Sequence, residues 1–462
     1  MTSKVKKTEP SHPKGKKDKQ EAKIISIPNA KGDAKLNALS PQFLNEEEAK
    51  EVRRQFRNLK RAFKPALSKS EKKLIDTAFE ISLDAHKDMR RKSGEPYILH
   101  PIAVAHICVF DMGLGPIAAI CALLHDVVED TEVTLEEIET LFGKKIARIV
   151  DGLTKVNAVF DLTSTVQVET FRKLLLSLAD DIRVILIKIA DRLHNMRTMD
   201  SMPRKNQLKI AAETKFLYAP LAHRLGFYGL KSELEDLSMK YTESEIFQEI
   251  RTKLNATRRE RTRYINEFVK PITAMLEREG IQATVVGRPK SISSIWNKMQ
   301  NKEVSFEEVY DIFAIRIIID SKHQNEKSIC WKVYSIVTDF YQPNPSRLRD
   351  WVSSPKSNGY ESLHTTVMGH KGRWMEVQIR SERMDEIADK GFAAHWKYKE
   401  GTQDHALDTW LRDIRELLKN PGSNAMDFLD EFRMNLYTNE IYVFTPKGEL
   451  IILRSDATAL DF

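Results

Sequence analysis

Residues 123–130 read Leu-Leu-His-Asp-Val-Val-Glu-Asp. At 3.6 residues per turn, His125 falls one turn from Glu129 and Asp126 one turn from Asp130, so a helix puts all four polar side chains on one face. An imidazole and three carboxylates at one spot suit a divalent metal and a general base. The same pattern also fits an amphipathic helix with a solvated acidic face. Two other stretches carry groups of the same kind. Arg91-Lys92-Ser93-Gly94-Glu95-Pro96-Tyr97-Ile98-Leu99-His100-Pro101 reads as a loop, with His100 biased to extended backbone by the proline after it. Its Arg91 and Lys92 suit a phosphate. Lys188 to Thr198 reads as a helix on which Asp191, Asn195 and Thr198 share a face at i, i+4, i+7. Asp191 closes an apolar run, where a carboxylate is costly to bury unless it is paired or metal-bound.

The second half offers phosphate and base chemistry. Ala283-Thr284-Val285-Val286 is a short strand running into Gly287-Arg288-Pro289-Lys290, then a helix with Ser291 or Ser293 as N-cap. A helix N-terminus behind an Arg and a Lys can cradle phosphate, although the GxxxxGK[ST] loop is absent. Val309 to Asp320 is strand-like, with Asp311 near its start. Lys356 to His364 is a loop dense in hydrogen-bonding groups around the ring of Tyr360, equipment for stacking a base and gripping phosphate. Thr365–Met368 and Trp374–Arg380 flank Gly369-His370-Lys371-Gly372 as a hairpin. There Met375, Val377 and Ile379 face one way, and period-2 alternation makes Glu376, Gln378 and Arg380 a solvated face.

The elements that must position these groups fall into two kinds. Up to about residue 279 the pattern is helical: 46–59, 70–87, 102–110, 116–128 carrying His125 and Asp126, 188–198, 207–240, and a charged stretch 245–279 interrupted at Pro271. After Gly280 it is mixed α/β. At 462 residues the chain has room for about three domains. No run approaches the ~18 apolar residues of a membrane helix, the N-terminus has no secretory core, and three scattered cysteines (Cys108, Cys121, Cys330) fit a reducing, cytoplasmic setting. The net charge is +7, but residues 1–36 hold ten Lys and four acids, so the basicity is mostly a lysine-rich tail expected to be disordered.

His100, then His125-Asp126, then Asp191 resembles the H…HD…D metal signature of HD phosphohydrolases. The words RKSGEPYILHP, ALLHDVVEDT and IADRLHNMRT, followed by GRPKSISSIWNKM, YDIFAIRI, SNGYESLHTTV and EVQIRSERMDEIADKGFAAHWKYK, resemble the long RelA/SpoT homologues, which make and destroy the alarmone (p)ppGpp. The resemblance implies a multidomain α and α+β protein: an all-helical HD-type hydrolase domain, then a mixed α/β, nucleotidyltransferase-like synthetase domain. It implies a tail at 1–40, a hydrolase domain at 41–205, a helical bridge at 206–275, a synthetase domain at 276–402, a linker helix at 403–438, and at 439–462 the truncated start of a TGS domain. The ribosome-sensing C-terminal half would be missing.

In the hydrolase domain the resemblance implies one metal, Mn²⁺, on His100, His125, Asp126 and Asp191. Glu129 and Asp130 would orient and deprotonate water, and Arg91, Lys92, Ser93, Asn195 and Thr198 would hold the nucleotide. In the synthetase domain Asp311 would bind Mg²⁺, with Glu376 joining it or acting as base. Arg288, Lys290, Ser294, Lys298 and Lys356 would hold phosphates, and Tyr360 would stack on guanine near Asn358, His364 and Gln378. The substrates would be ATP, GDP, GTP and ppGpp or pppGpp, with the ribosome as partner of the full-length protein and no membrane or DNA. The rivals are a monofunctional hydrolase or synthetase, and a ribosome- or RNA-binding regulator. Two opposed activities in one chain would waste ATP, so the bridging helices are expected to couple the sites antagonistically.

Overall fold

The computed structural model describes residues 44–157, 181–288, 290–309, 314–356, 359–391, 440–444 and 450–454. The first part is helical. Helix α1 (Glu46–Ala62) and helix α2 (Lys69–Ala85) each begin with a capping box, on Asn45 and Ser68. These caps satisfy N–H groups that the first turn leaves without partners. Phe56 of α1 and Phe79 of α2 stack with ring centroids 3.9 Å apart. Then follow α3 (Leu99–His106), α4 (Pro116–Leu123), the four-residue α5 (Val127–Asp130), α6 (Leu135–Phe142), α7 (Lys144–Asn157) and α8 (Arg183–Thr198). Among the described residues no helix is long and apolar enough to cross a membrane.

Two sequence expectations fail here. His100 lies inside the first turn of α3, not in extended backbone. Pro101 is the third helical residue, where the missing N–H would have no intrahelical partner, so the turn tolerates it. The helix expected over 116–128 ends at Leu123. Leu124 and Asp126 have ψ near zero (1° and −6°), and a fresh turn begins at Val127. His125 and Asp126 therefore sit on a bend between two helices. The bend turns them into the core, both buried, while Glu129 and Asp130 stay exposed.

The helical stretch expected over 207–240 is three pieces: α9 (Arg204–Glu213), α10 (Ala219–Arg224) and α11 (Tyr228–Thr242), with a wide turn at Thr214–Tyr218. Gly226, at φ +80°, makes the break before α11. In the charged region the break falls at Thr257, between α12 (Ser244–Ala256) and α13 (Arg258–Arg278). Pro271 is carried inside α13. Tyr264, Phe268, Ile272 and Leu276 recur every fourth residue along that helix and are all buried, so packing outweighs the hydrogen bond lost at the proline.

The face they pack on is a mixed sheet. Its strands are β1 (Ala283–Gly287), β2 (Ala314–Ile319), β3 (Arg349–Asp350), β4 (Leu363–Met368) and β5 (Trp374–Ser381), in the order β1-β2-β5-β4-β3. Only the β2–β5 pair is parallel. Helix α14 (Ile292–Lys302) lies between β1 and β2 in the chain, and α15 (Glu326–Phe340) between β2 and β3. Ser291 is the N-cap of α14, one of the two expected. Helices α13 and α15 cover the apolar face, with Phe268, Val333 and Val337 against Ile317, Val377 and Ile379. Helix α16 (Glu382–Lys390) follows β5 directly. Strands β6 (Glu440–Phe444) and β7 (Leu450–Arg454) pair antiparallel. The expected tail, the linker helix and the start of the 309–320 strand, Asp311 included, lie outside the described residues.

Phe268 is fully buried and stacks on Tyr341 at 4.1 Å. Phe268→Ala is expected to cost roughly 3–5 kcal/mol, read as a lower urea midpoint. A loss below about 1 kcal/mol would mean that the sheet face collapses into the space.

Candidate functional site

The first site lies where α3, the 124–126 bend and α8 meet. His100 comes from α3, His125 and Asp126 from the bend, and Asp191 from α8. Asp191 Oδ1 is 3.2 Å from His100 Nε2, and Asp126 Oδ2 lies 3.8 Å from His100 Nε2 and 2.9 Å from His125 Nε2. Ligand atoms of His100, His125 and Asp126 all lie within 4.8 Å of one another. His125 Nδ1 donates to the Ala122 carbonyl at 2.7 Å. In the neutral imidazole, Nε2 is then a bare lone pair facing a carboxylate, and among the described residues it has no hydrogen-bond partner. Two acceptors pointing at each other call for a cation, and a mixed imidazole–carboxylate donor set suits a divalent metal.

The surroundings set the charge on each of these groups. Burial pushes the His100 imidazole below its ordinary value, towards neutrality. Burial works the same way on His125, but Asp126 beside it prevails and lifts its value. Burial raises Asp191, yet the His100 hydrogen bond, Lys188 and both imidazoles hold it well below the usual carboxylate range. Asp126 is likewise held down, chiefly by His125 against its own burial. Tyr97 Oη donates to Asp126 Oδ2 at 2.7 Å, and His194 Nδ1 meets His100 Nδ1 at 2.8 Å. Burial, with His100 and Arg91 nearby, lowers His194 to about 3, so it is neutral.

A cavity of about 410 Å³ opens beside the cluster, lined also by Arg91, Lys92, Ser93, Glu129, Asp130, Asn195 and Thr198. All the residues expected at this site therefore come together. Arg91 Nη2 donates to Asn195 Oδ1 at 2.9 Å and to Thr198 Oγ1 at 3.0 Å, so these two act on Arg91 as well as on the cavity. Sequence reading missed Tyr97, Lys188 and His194 as partners of the cluster. His194 sits three residues after Asp191 on α8, a spacing that could have found it. Residues that orient metal ligands typically change affinity by about 10–100-fold. Tyr97→Phe is accordingly expected to weaken Mn²⁺ binding by about tenfold, and Asp126→Ala to abolish it, in a titration that follows the free-Mn²⁺ spin-resonance signal. Unchanged binding in Asp126→Ala would rule out the cluster as a metal site.

The second site is the polar face of the sheet. Strand register builds it: His364 and Arg316 both lie opposite Gln378, and Ala314 and Thr366 both lie opposite Glu376. Helix α11 comes over this face, and Tyr228, Gly229, Glu233 and Asp236 help enclose a cavity of about 690 Å³. Of the expected residues, Arg288, Lys290, Ser294, Lys356, Tyr360, His364, Glu376 and Gln378 line it. Lys298 does not; it stands beside Lys290, and burial with that neighbour lowers it to about 7. Asp311 and Asn358 lie outside the described residues.

The expected solvated face of β5 is a cavity floor. Gln378 and Arg380 are 2% and 1% exposed. Gln378 Nε2 donates to Glu376 Oε1 at 2.7 Å, and Arg380 Nε lies 2.8 Å from Asp385 Oδ1. The alternation was right, but α11 and α16 roof the face that would otherwise meet water. Tyr360 Oη is 2.8 Å from His364 Nε2, and its ring meets Tyr228 and Trp351 edge-on. Lys356 Nζ lies over the Trp351 ring at 4.3 Å. Burial and four nearby cations take His364 down to about 3. Arg316, Arg380, Trp351 and the α11 residues were missed. Arg316 had a signal, a lone cation in an apolar strand; the α11 residues had none, being far away in the chain. The phosphate cradle expected at the start of α14 meets an internal anion. Asp236 accepts from the N–H of Ser293 at 2.7 Å and of Ile292 at 3.1 Å.

Residues 78–228 match the family described as HD domain, and residues 287–403 the region found in RelA/SpoT proteins. Each match contains the described residues of one cavity's expected set. The chain is 43% identical over 399 residues to a probable guanosine-3′,5′-bis(diphosphate) 3′-pyrophosphohydrolase of Synechocystis, covering 84% of this chain and 52% of that protein. It is 40% identical over 413 residues to the bifunctional (p)ppGpp synthase/hydrolase SpoT of Escherichia coli, covering 88% and 58%. It is 41% identical over 401 residues to the GTP pyrophosphokinase of Myxococcus xanthus, covering 84% and 52%. The chain thus spans little more than half the length of these relatives. It carries an HD domain followed by the region found in RelA/SpoT proteins, and most of its length is similar to proteins named for (p)ppGpp synthesis and hydrolysis.

Proposed function

We propose that the chain is a bifunctional alarmone enzyme. The sheet cavity transfers the β,γ-diphosphate of ATP to the 3′-oxygen of GDP or GTP, giving (p)ppGpp and AMP. The helical site cleaves the 3′-diphosphate from (p)ppGpp, giving GDP or GTP and pyrophosphate. The observation that carries this reading is the presence of two separate cavities in one chain. One holds a buried His/Asp cluster beside an Arg-Lys-Ser loop, and the other combines several cations, an aromatic ring and Glu376. We assign the domain limits as read from the sequence, a cytoplasmic setting, and a ribosome partner for the full-length protein.

His100, His125, Asp126 and Asp191 would hold Mn²⁺, and Asp311 with Glu376 would hold Mg²⁺. When bound, these ions would supply an acidified water at the first site and charge neutralisation on the transferring diphosphate at the second. Glu129 and Asp130, on the rim of the first cavity, orient the attacking water and take its proton. Arg91, held by Asn195 and Thr198, and Lys92 and Ser93 meet the phosphates. In the sheet cavity Arg288, Lys290, Ser294 and Lys356 hold phosphates, with Lys298 reinforcing Lys290. Tyr360 stacks on guanine near Asn358, His364 and Gln378. If Glu376 serves as base, it takes the 3′-hydroxyl proton as that oxygen attacks the β-phosphorus. Positioning and charge neutralisation do most of this work, because phosphoryl transfer needs little covalent help.

One chromatographic assay run two ways tests the reading. Protein with Mg²⁺, ATP and GDP should yield ppGpp and AMP; protein with Mn²⁺ and ppGpp should yield GDP and pyrophosphate. Asp126→Ala should lower hydrolysis by ~100-fold or more and spare synthesis, and Glu376→Gln should do the reverse. Silence in both tubes would end the enzymatic reading. A second measurement concerns coupling. Helix α11 touches both halves, through Glu233 to Arg197 at 2.6 Å and through Asp236 to α14. Saturating the first site with ppGpp in Ca²⁺ should weaken binding of a non-hydrolysable ATP analogue at the second by ~5-fold or more, measured by calorimetry. Equal affinity with and without ppGpp would exclude antagonism.

A further inference from the structure

Behind the sheet cavity, on the side away from Tyr360, three elements meet at one guanidinium. Arg383, at the start of α16, is bidentate to Glu361, with Nη1–Oε1 at 2.9 Å and Nη2–Oε2 at 2.8 Å. The same group reaches Glu326, the first residue of α15, with Nε–Oε2 at 2.9 Å and Nη2–Oε2 at 2.8 Å. Glu326 is 4% exposed and also accepts from Ser381 Oγ at 2.6 Å. Burial opposes the charge on Arg383, but the two carboxylates outweigh it and raise its pKa. None of the expected site residues belongs to this cluster, and none of its members lines the cavity.

Its placement gives it a consequence for the cavity. Glu361 follows Tyr360 directly: the Tyr360 side chain lines the cavity, while that of Glu361 meets Arg383 outside it. The loop behind them closes on itself: the Lys356 N–H donates to the Tyr360 carbonyl and the Trp351 N–H to the Ser362 carbonyl, both at 3.1 Å. Gly359, at φ +75°, makes the turn between. These bonds, with the contacts among Trp351, Tyr360 and His364, join the segment that carries these residues and Lys356, and Glu361 is the charged tie between that segment and the two helices.

We propose that Arg383 is a positioning residue for the guanosine nucleotide: by clamping Glu361 against Glu326 it fixes the Tyr360 ring at the height a purine needs. Arg383 touches no substrate. A lysine would keep the charge but lose the fork that grips two carboxylates at once. The inference rests on the reading of the cavity as a (p)ppGpp synthetase. In that reading Arg288, Lys290 and the start of α14 take the phosphates of ATP, and Lys356, on the clamped segment, takes those of the guanosine nucleotide.

The test uses the full chain with Arg383→Lys and Glu361→Gln, measuring hydrogen exchange, nucleotide binding and turnover. The clamp predicts faster exchange of the Trp351 and Lys356 amides while Ile317 in β2 is unchanged. It predicts about tenfold weaker GDP binding and a KM for GDP raised by about tenfold. The affinity for a non-hydrolysable ATP analogue, the kcat and ppGpp hydrolysis should stay within about twofold. Unchanged exchange, or unchanged GDP affinity, would overturn the clamp. Equal losses for GDP and the ATP analogue would also overturn it, because they would mark general damage to the fold. If the unaltered protein binds GDP but makes no ppGpp, the synthetase reading fails while the exchange and GDP shifts still decide the clamp. If GDP does not bind at all, both fall.

Discussion

One turn of helix α11 ties the two halves together. Glu233 grips Arg197 through both oxygens, at 2.6 and 2.8 Å, next to Thr198 of the helical site. Three residues on, Asp236 takes the first free N–H groups of α14 beside the sheet cavity. Glu233 is partly exposed, so its pair with Arg197 contributes little stability by itself. Its effect is geometric. Leu230 and Leu234 of α11 are buried, so the helix cannot shift without disturbing packing. Gly391 tightens the same region, because a Cβ there would come 2.6 Å from the Leu225 carbonyl just before α11.

The two sites handle buried charge in opposite ways. The helical site places two carboxylates among imidazoles with Lys188 behind, an acidic pocket that a cation completes. The sheet cavity gathers Arg288, Lys290, Arg316, Lys356 and Arg380 around Glu376, a basic pocket. Some of that positive charge is already met from within: Asp385 and Asp389 reach Arg316, and Asp385 also faces Arg380. Burial drives His364 and His194 neutral, so both serve as hydrogen-bonding groups rather than as cations.

Much of the fold was legible because short-range rules wrote it. Helical patterning gave α1, α2 and α8, and alternation gave β5 with its turn from β4. The errors fell where local preference and packing disagree. Pro101 predicted extended backbone, but at the third position of α3 a proline costs nothing. Pro271 predicted a break, but four buried side chains hold α13 through it. The 116–128 segment read as one helix because its spacing is helical throughout, yet the bend at 124–126 is what brings His125 and Asp126 to face His100 and Asp191.

By itself the sequence offered candidate groups: a histidine and three carboxylates at 125–130 that suit a divalent metal, and cations with an aromatic loop that suit a nucleotide. Residue types and close spacing are written locally, so these could be read without coordinates, while the set of His100, His125, Asp126 and Asp191 came from the family resemblance. Only the tertiary structure decided what stands around them. Tyr97 on Asp126, His194 on His100, Arg383 behind Tyr360, and α11 over the sheet are contacts between residues 20 to over 100 positions apart. No periodicity records such pairs. They follow from burying the apolar faces of helices and sheet together, which fixes where the polar faces meet.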